Sequence, residues 1–179
     1  MELFDLLNHQ GEQTGQSKPR DQVHRDGDWH ASVDVVVINS KSEILLQKRS
    51  ATKEAFPNMW ELSCSGHLSA GEDSVTAAVR ELAEEVGIEA QTGELVHLFR
   101  VKEPQTLNLG TFIENEFKDV YLLKLDVDLE KLALQSSEVT AVSWTCIPEL
   151  EARVSAKDQS YVPHPEIYPR LFAYLKTKL

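Results

Sequence analysis

The chain has 179 residues, of which 41% are hydrophobic and 26% charged, and a formal net charge of −11. That length fits one domain with a sizeable core, and the acidity excludes nucleic acid as the main partner, because affinity for a polyanion needs a basic surface. No apolar run approaches the ~20 residues that span a bilayer, Met1 to Asp5 lacks a basic-then-apolar leader, and two cysteines, Cys64 and Cys146, make no disulfide framework. A reduced, cytoplasmic protein in contact with neither membrane nor nucleic acid is therefore expected.

Leu3 to Leu7 reads as a short strand, followed by a turn at Asn8 to Glu12. Gln13 to Trp29 is polar and reads as loop. Ala31 to Ile38 is valine-rich and bounded by Asn39-Ser40-Lys41-Ser42, which predicts a buried strand, a turn and a hairpin partner over Glu43 to Gln47. After a loop containing Pro57, Trp60 to Cys64 is a short strand candidate. Ser74 to Val86 carries the strongest helical pattern, with Val75, Val79, Leu82 and Val86 forming one apolar stripe. Asp73 or Ser74 can cap its start, and Gly87 stands where a left-handed ending is needed. Leu95 to Val101, Val120 to Leu125 and Val139 to Thr145 read as further strands. Pro148 opens a short helix, and Pro169 to Lys178 is a closing helix with Leu171, Phe172 and Leu175 inward. A mixed sheet with helices on its faces, an α/β architecture, follows. The proline-bearing segment Asp158 to Pro165 is a candidate cover for a pocket.

The helix over 74–86 has a second face. At ~100° per residue, Glu81 and Glu85 flank the apolar stripe and Glu84 lies nearly opposite it. Like charges at these spacings repel by a few tenths of a kcal/mol per pair, and a divalent cation reverses the sign. Hard cations such as Mg²⁺ take carboxylate oxygens together with phosphate oxygens of a substrate.

The surroundings sharpen this reading. Gly66 stands six residues before Glu72, and Glu72 eight before Arg80; then come Glu81, Leu82, Glu84, Glu85, Gly87 and Ile88. Seven fixed residues at typical frequencies of ~5–9% match by chance on the order of 10⁻⁸ times per start point. The run resembles the complete signature of the Nudix hydrolases, with no departure. The resemblance implies an α/β/α sandwich with a mixed β-sheet, and Mg²⁺ (or Mn²⁺) as cofactor. It implies a reaction in which water displaces one side of a diphosphate linkage in a small phosphorylated metabolite, a nucleoside diphosphate derivative or an isoprenyl diphosphate. By position, Gly66 admits backbone close to the metal, Glu72 and Arg80 form a structural ion pair, and Glu81, Glu84 and Glu85 hold the metal. A base is also needed; Glu84, Glu114, Glu116 and Glu138 are the candidates beside the catalytic Glu81.

From His24 to Leu125 the chain also resembles isopentenyl-diphosphate isomerase, a relative sharing the Nudix fold. The matching pieces are His24, His30, Lys48-Arg49-Ser50 through Phe56-Pro57, Gly66-His67 and Glu114-Asn115-Glu116. The likeness implies a second metal site at His24, His30, His67, Glu114 and Glu116, a donor set suited to a transition metal or Zn²⁺ as well as Mn²⁺. Arg49, Phe56 and Trp60 are substrate-binding candidates, and Phe117 and Tyr161 are further aromatics able to stack. The isomerase needs a cysteine immediately before the Gly-His pair. Here Ser65 stands there and Cys64 is one residue away, which in a strand points to the other face. A hydroxyl is a far poorer proton donor than a thiol at neutral pH, so hydrolysis is favoured over isomerisation. A non-catalytic module that binds a phosphorylated metabolite is the remaining alternative; the oligomeric state is not readable from the sequence, a homodimer being the commonest assembly in general.

Overall fold

The structure is a computed structural model and describes residues 2–178. Its hub is β3 (Trp29–Ile38), where alternating side chains feed two cores. Val33, Val35 and Val37 point to one face of the sheet, and Val36 and Ile38 to the other, as the two-residue period of a strand requires. Along its whole length β3 runs parallel to β8 (Phe112–Lys124), from Trp29↔Asn115 to Ile38↔Lys124. Three antiparallel partners share its other edge: β1 (Leu3–Leu7) at the start, β6 (Cys64–His67) in the middle and β4 (Glu43–Arg49) at the end. β2 (Gln13–Pro19) pairs with β1, β7 (Val96–Leu107) with β8, and β5 (Trp60–Glu61) and β9 (Val139–Cys146) with β4. Among the described residues the sheet has nine strands and is mixed.

Helices cover both faces. Ala77, Ala78, Leu82 and Val86 of α2 (Ser74–Val86) pack on Val33, Val35 and Val37. On the opposite face Leu150 of α3 (Ile147–Ser155) and Ile167, Leu171, Phe172 and Leu175 of α4 (Ile167–Lys178) pack on Val36, Ile38, Ile44 and Leu46. The ends of α2 are fixed as its sequence dictates. The Asp73 carboxylate accepts from the Thr76 N–H at 3.1 Å, and Gly87 turns left-handed at φ 70°, where a Cβ would stand 2.8 Å from the Ala133 backbone nitrogen.

Three sequence expectations are corrected. Gln13 to Trp29 is not loop but holds β2 and a short helix, α1 (Arg20–Asp26). Neither element announces itself: β2 is an edge strand exposed along most of its length, and α1 buries only Val23 and His24. Trp60 to Cys64 is split between β5 and β6, because β3 and β4 diverge there. Ser63 fills the gap, accepting the Val37 N–H at 2.8 Å and donating to the Leu45 carbonyl at 2.6 Å. β7 and β8 also run much farther than the apolar stretches suggest. Their extra length carries Glu103, Glu116 and Lys118, all buried, which hides the apolar period. Among the described residues no helix is long and apolar enough to cross a membrane.

Candidate active site

The site begins where β6 passes under α2. A Cβ built on Gly66 would lie 2.1 Å from Glu81 Cδ, so the Glu81 carboxyl rests directly on this backbone and only glycine fits beneath it. Arg80 then binds the loop and the helix together. Its Nε and Nη2 donate to the two Glu72 oxygens at 2.9 Å each, a bidentate pair, and Nη2 also donates to the His67 carbonyl at 2.9 Å. Its Nη1 reaches Glu81 at 2.8 Å and Glu84 at 3.1 Å. Glu72 further accepts from the Ser69 N–H at 2.9 Å, which closes the loop.

The three glutamates differ in their surroundings. The Glu84 side chain is 54% exposed, that of Glu81 13%. Glu85 is buried and accepts from Gln47 Nε2 at 3.1 Å and the Ser65 N–H at 3.3 Å. Burial raises the Glu85 carboxyl, and burial with repulsion from Glu85 pushes Glu81 up to about 7. All three line one cavity of about 190 Å³, together with Ser65, Gly66, His67, Arg49, Lys53, Phe56, Glu114, Glu116 and Glu138.

A second cluster lies behind His67 and Glu116, which line the same cavity. One ring nitrogen each of His24, His30 and His67 lie within 4.8 Å of one another. Glu116 Oε1 is 3.2 Å from His67 Nε2 and 3.8 Å from His30 Nε2. His30 Nδ1 sits 3.0 Å from the Asp28 carbonyl, so the proton belongs there and Nε2 keeps a free lone pair. Neither ring nitrogen of the buried His24 has a hydrogen-bond partner. Burial holds all three imidazoles below the ordinary histidine value, His24 at about 4. Burial would raise Glu116 too, but the Lys118 ammonium and His67 overcome it and keep this carboxyl well below the usual range. Glu114 is pushed up to about 7 by burial and by Glu116.

The remaining sequence candidates divide. Arg49 is buried; it pairs with Glu61, donates from Nε to the Ala55 carbonyl at 3.0 Å, and lines the cavity. Phe56 also lines it, from a left-handed backbone at φ 47°. Glu138 lines it while paired with Lys53. Trp60 lies outside the cavity lining; it packs on the core beneath α4 with the Lys48 ammonium 5.9 Å over its ring. Phe117 is likewise elsewhere, its ring tilted against Trp29 with centroids 5.2 Å apart. Cys64 is fully buried in the α2 core and its thiol is raised by burial, whereas Ser65 faces the cavity. From the segment over 158–165, Val162 and His164 reach the lining. Sequence reasoning missed Asp34, Glu61, Glu103, Lys118 and His164, all buried. For Asp34 the signal existed: an aspartate inside a valine run is out of place unless it is used.

An acid-lined cavity thus stands beside a helix of glutamates, on a mixed sheet with helices on both faces. The NUDIX domain family matches residues 28–171, and the chain belongs to that family as a Nudix hydrolase of the isopentenyl-diphosphate-isomerase-like branch. It is 42% identical over 166 residues to Nudix hydrolase 3 of Arabidopsis thaliana, which covers 91% of this chain but only 22% of that protein. The isopentenyl-diphosphate Delta-isomerase of Nocardia farcinica is 32% identical over 160 residues, 89% of this chain and 87% of the relative. Among solved structures, DR0079 from Deinococcus radiodurans superposes with a TM-score of 0.70 at 21% identity, covering 98% of each chain, a likeness of fold.

Proposed function

We propose that this chain is a divalent-metal-dependent hydrolase of a diphosphate linkage in a small phosphorylated metabolite, a nucleoside diphosphate derivative or an isoprenyl diphosphate. The observation that carries the reading is the seating of Glu81 on Gly66 beside a buried Glu85. Two carboxylates held close in a poorly solvated site repel each other and suit a cation. The donor set fits Mg²⁺ or Mn²⁺: all oxygen, with Glu84 at the rim. Glu81, Glu84 and Glu85 would hold the ion, and bound there it would offset phosphate charge and supply an acidified water. Arg80 supports the site by keeping Glu81 and Glu84 turned toward each other. The orphaned nitrogens of His24 and the bare His30 Nε2 support a second metal position, shared with His67, Glu116 and Glu114.

Of the carboxylates weighed as general base, Glu116 is engaged by Lys118 and His67, which suits a ligand. Glu84, held by Arg80, and Glu138, paired with Lys53, both line the cavity and remain the candidates to take a proton from water. Arg49 and Lys53 line the same cavity and meet the charge of the phosphates. Local chemistry supports hydrolysis over isomerisation: Ser65, not a thiol, faces the cavity, and the Cys64 thiol is fully buried against α2 beside Glu85.

The test is a panel of nucleoside diphosphate derivatives and isoprenyl diphosphates incubated with Mg²⁺ or Mn²⁺. Phosphate-bearing products that appear only with metal are expected. Conversion of isopentenyl diphosphate to its allylic isomer without phosphate loss, or no turnover by folded, metal-loaded protein, would count against hydrolysis.

A further inference from the structure

The cavity floor holds a buried ionic network that the proposed reaction leaves unused. Asp34 of β3, Glu61 of β5, Glu103 of β7 and Lys118 of β8 are 0%, 2%, 1% and 6% exposed. They converge on His164, itself 2% exposed, from the segment between α3 and α4. His164 Nδ1 lies 3.1 Å from Glu103 Oε2, and Nε2 lies 3.3 Å from Glu61 Oε1. The other Glu61 oxygen holds the Arg49 guanidinium. Lys118 Nζ lies 3.9 Å from Glu103, 3.7 Å from Asp34 and 3.1 Å from Glu116. One imidazole therefore joins the anchor of Arg49 to an anchor of Lys118, and all three of these side chains line the cavity.

The segment that delivers the ring is fixed. The Trp60 N–H donates to the Ser160 carbonyl at 2.7 Å and the Val162 N–H to the Trp60 carbonyl at 2.8 Å. Pro163 and Pro165 flank His164 and restrict the backbone on either side. Burial would lower the histidine, but the Glu103 and Glu61 carboxylates beside its two ring nitrogens overcome this and raise it to about 9. A buried ionic group of this size is no more stable than apolar packing would be, so stability alone does not account for it. Asp34, Glu61 and His164 are also close enough together to suit a cation. Lys118 and Arg49 already supply the positive charge there.

We propose that His164 is a positioning residue: by bridging Glu61 and Glu103 it fixes the carboxylates that hold Arg49 and Lys118 at the cavity floor, and so sets the grip of the cavity on a diphosphate. This rests on the reading of the cavity as a diphosphate site. Without the imidazolium, two uncompensated carboxylates face each other beneath the bound anion and both cations lose their alignment.

The test uses the full chain with inorganic pyrophosphate and Mg²⁺ in a calorimeter. His164→Gln should weaken pyrophosphate binding at least ~10-fold, about 1.4 kcal/mol. On any substrate the parent turns over, it should raise KM by a similar factor and change kcat less than ~3-fold, the pattern of lost uniform binding. Adding Glu103→Gln, which removes the uncompensated carboxylate while Asp34 and Glu116 still hold Lys118, should recover part of the affinity. In ¹⁵N-labelled parent protein both ring N–H groups of His164 should be present at pH 7.5. A His164→Gln protein that binds as tightly as the parent, a double variant no better than the single, or a singly protonated His164 ring would overturn the inference. Turnover by the parent tests the hydrolase reading separately, because the variant-to-parent ratio of pyrophosphate affinity does not depend on it.

Discussion

Glu81→Gln should lower kcat/KM by at least ~10³-fold, about 4 kcal/mol of transition-state stabilisation, while leaving the metal-free protein as stable as before or more so. The two effects have one cause. Glu81 is mostly buried, lies against Gly66 and is raised by burial and by the neighbouring Glu85 charge. A native charge held in that setting is a local strain that metal relieves. The amide keeps the size of the side chain and an oxygen for Arg80 Nη1, but it removes the repulsion. A gain on the order of 1 kcal/mol, ~2–4 °C in a chain of this size, is expected in the presence of a chelator. Added Mg²⁺, which the imidazole-rich second position does not favour, should raise the parent's Tm and leave the variant's nearly unchanged. Thermal melts with and without chelator, together with initial rates, check both halves. A variant that melts well below the parent under chelation and still responds to metal would contradict the role given to Glu81.

Gly66→Ala should separate site geometry from stability in the opposite way. The added methyl would stand 2.1 Å from Glu81 Cδ and 2.3 Å from its Oε1, so something must move. What moves is the end of a flexible side chain, not backbone, and Gly66 does not have a left-handed φ. The fold should therefore tolerate the change with less than ~1 kcal/mol lost, as most substitutions that create no buried cavity or unpaired charge do. The displaced carboxyl takes Glu81 off its seat, and metal affinity should fall ~10–100-fold, as for other residues that orient a ligand. Calorimetric titration with Mn²⁺ beside a chemical denaturation curve distinguishes the outcomes. Unfolding of the variant, or unchanged metal affinity, would show that the contact does not position Glu81.

The contrast between those two residues reflects what the sequence reveals. The geometry of α2 was largely readable from spacing: Leu82 and Val86 of the expected stripe are buried, while Ala77 and Ala78 are buried where Val75 and Val79 are only partly so, and Glu84 points outward beside the less exposed Glu81 and Glu85. Asp73 and Gly87 mark its ends because capping is local chemistry. Likewise the Ser65/Cys64 exchange predicted opposite faces, which is how they lie. Long-range pairing was less legible. The parallel register of β3 with β8, and the divergence of β3 from β4 that Ser63 fills, depend on residues far apart in sequence. The cavity floor was hidden for a related reason. Glu103, Glu116 and Lys118 occupy inward positions of long strands, where charged residues erase the apolar alternation that marks a strand. His164 looked like part of a proline-rich loop, and only its two buried carboxylate partners, 61 and 103 residues away in differing directions of the fold, give it meaning. The aromatics were the least readable: nothing local distinguishes Phe56, at the cavity, from Trp60, on the core beneath α4.

The account depends above all on a divalent cation seated among Glu81, Glu84 and Glu85. Crystals soaked in Mn²⁺ with a non-hydrolysable pyrophosphate analogue test this directly by anomalous scattering. The account predicts a manganese peak within bonding distance of carboxylate oxygens of these three residues and of the analogue. Analogue bound in the cavity with no anomalous peak at the three glutamates would contradict it.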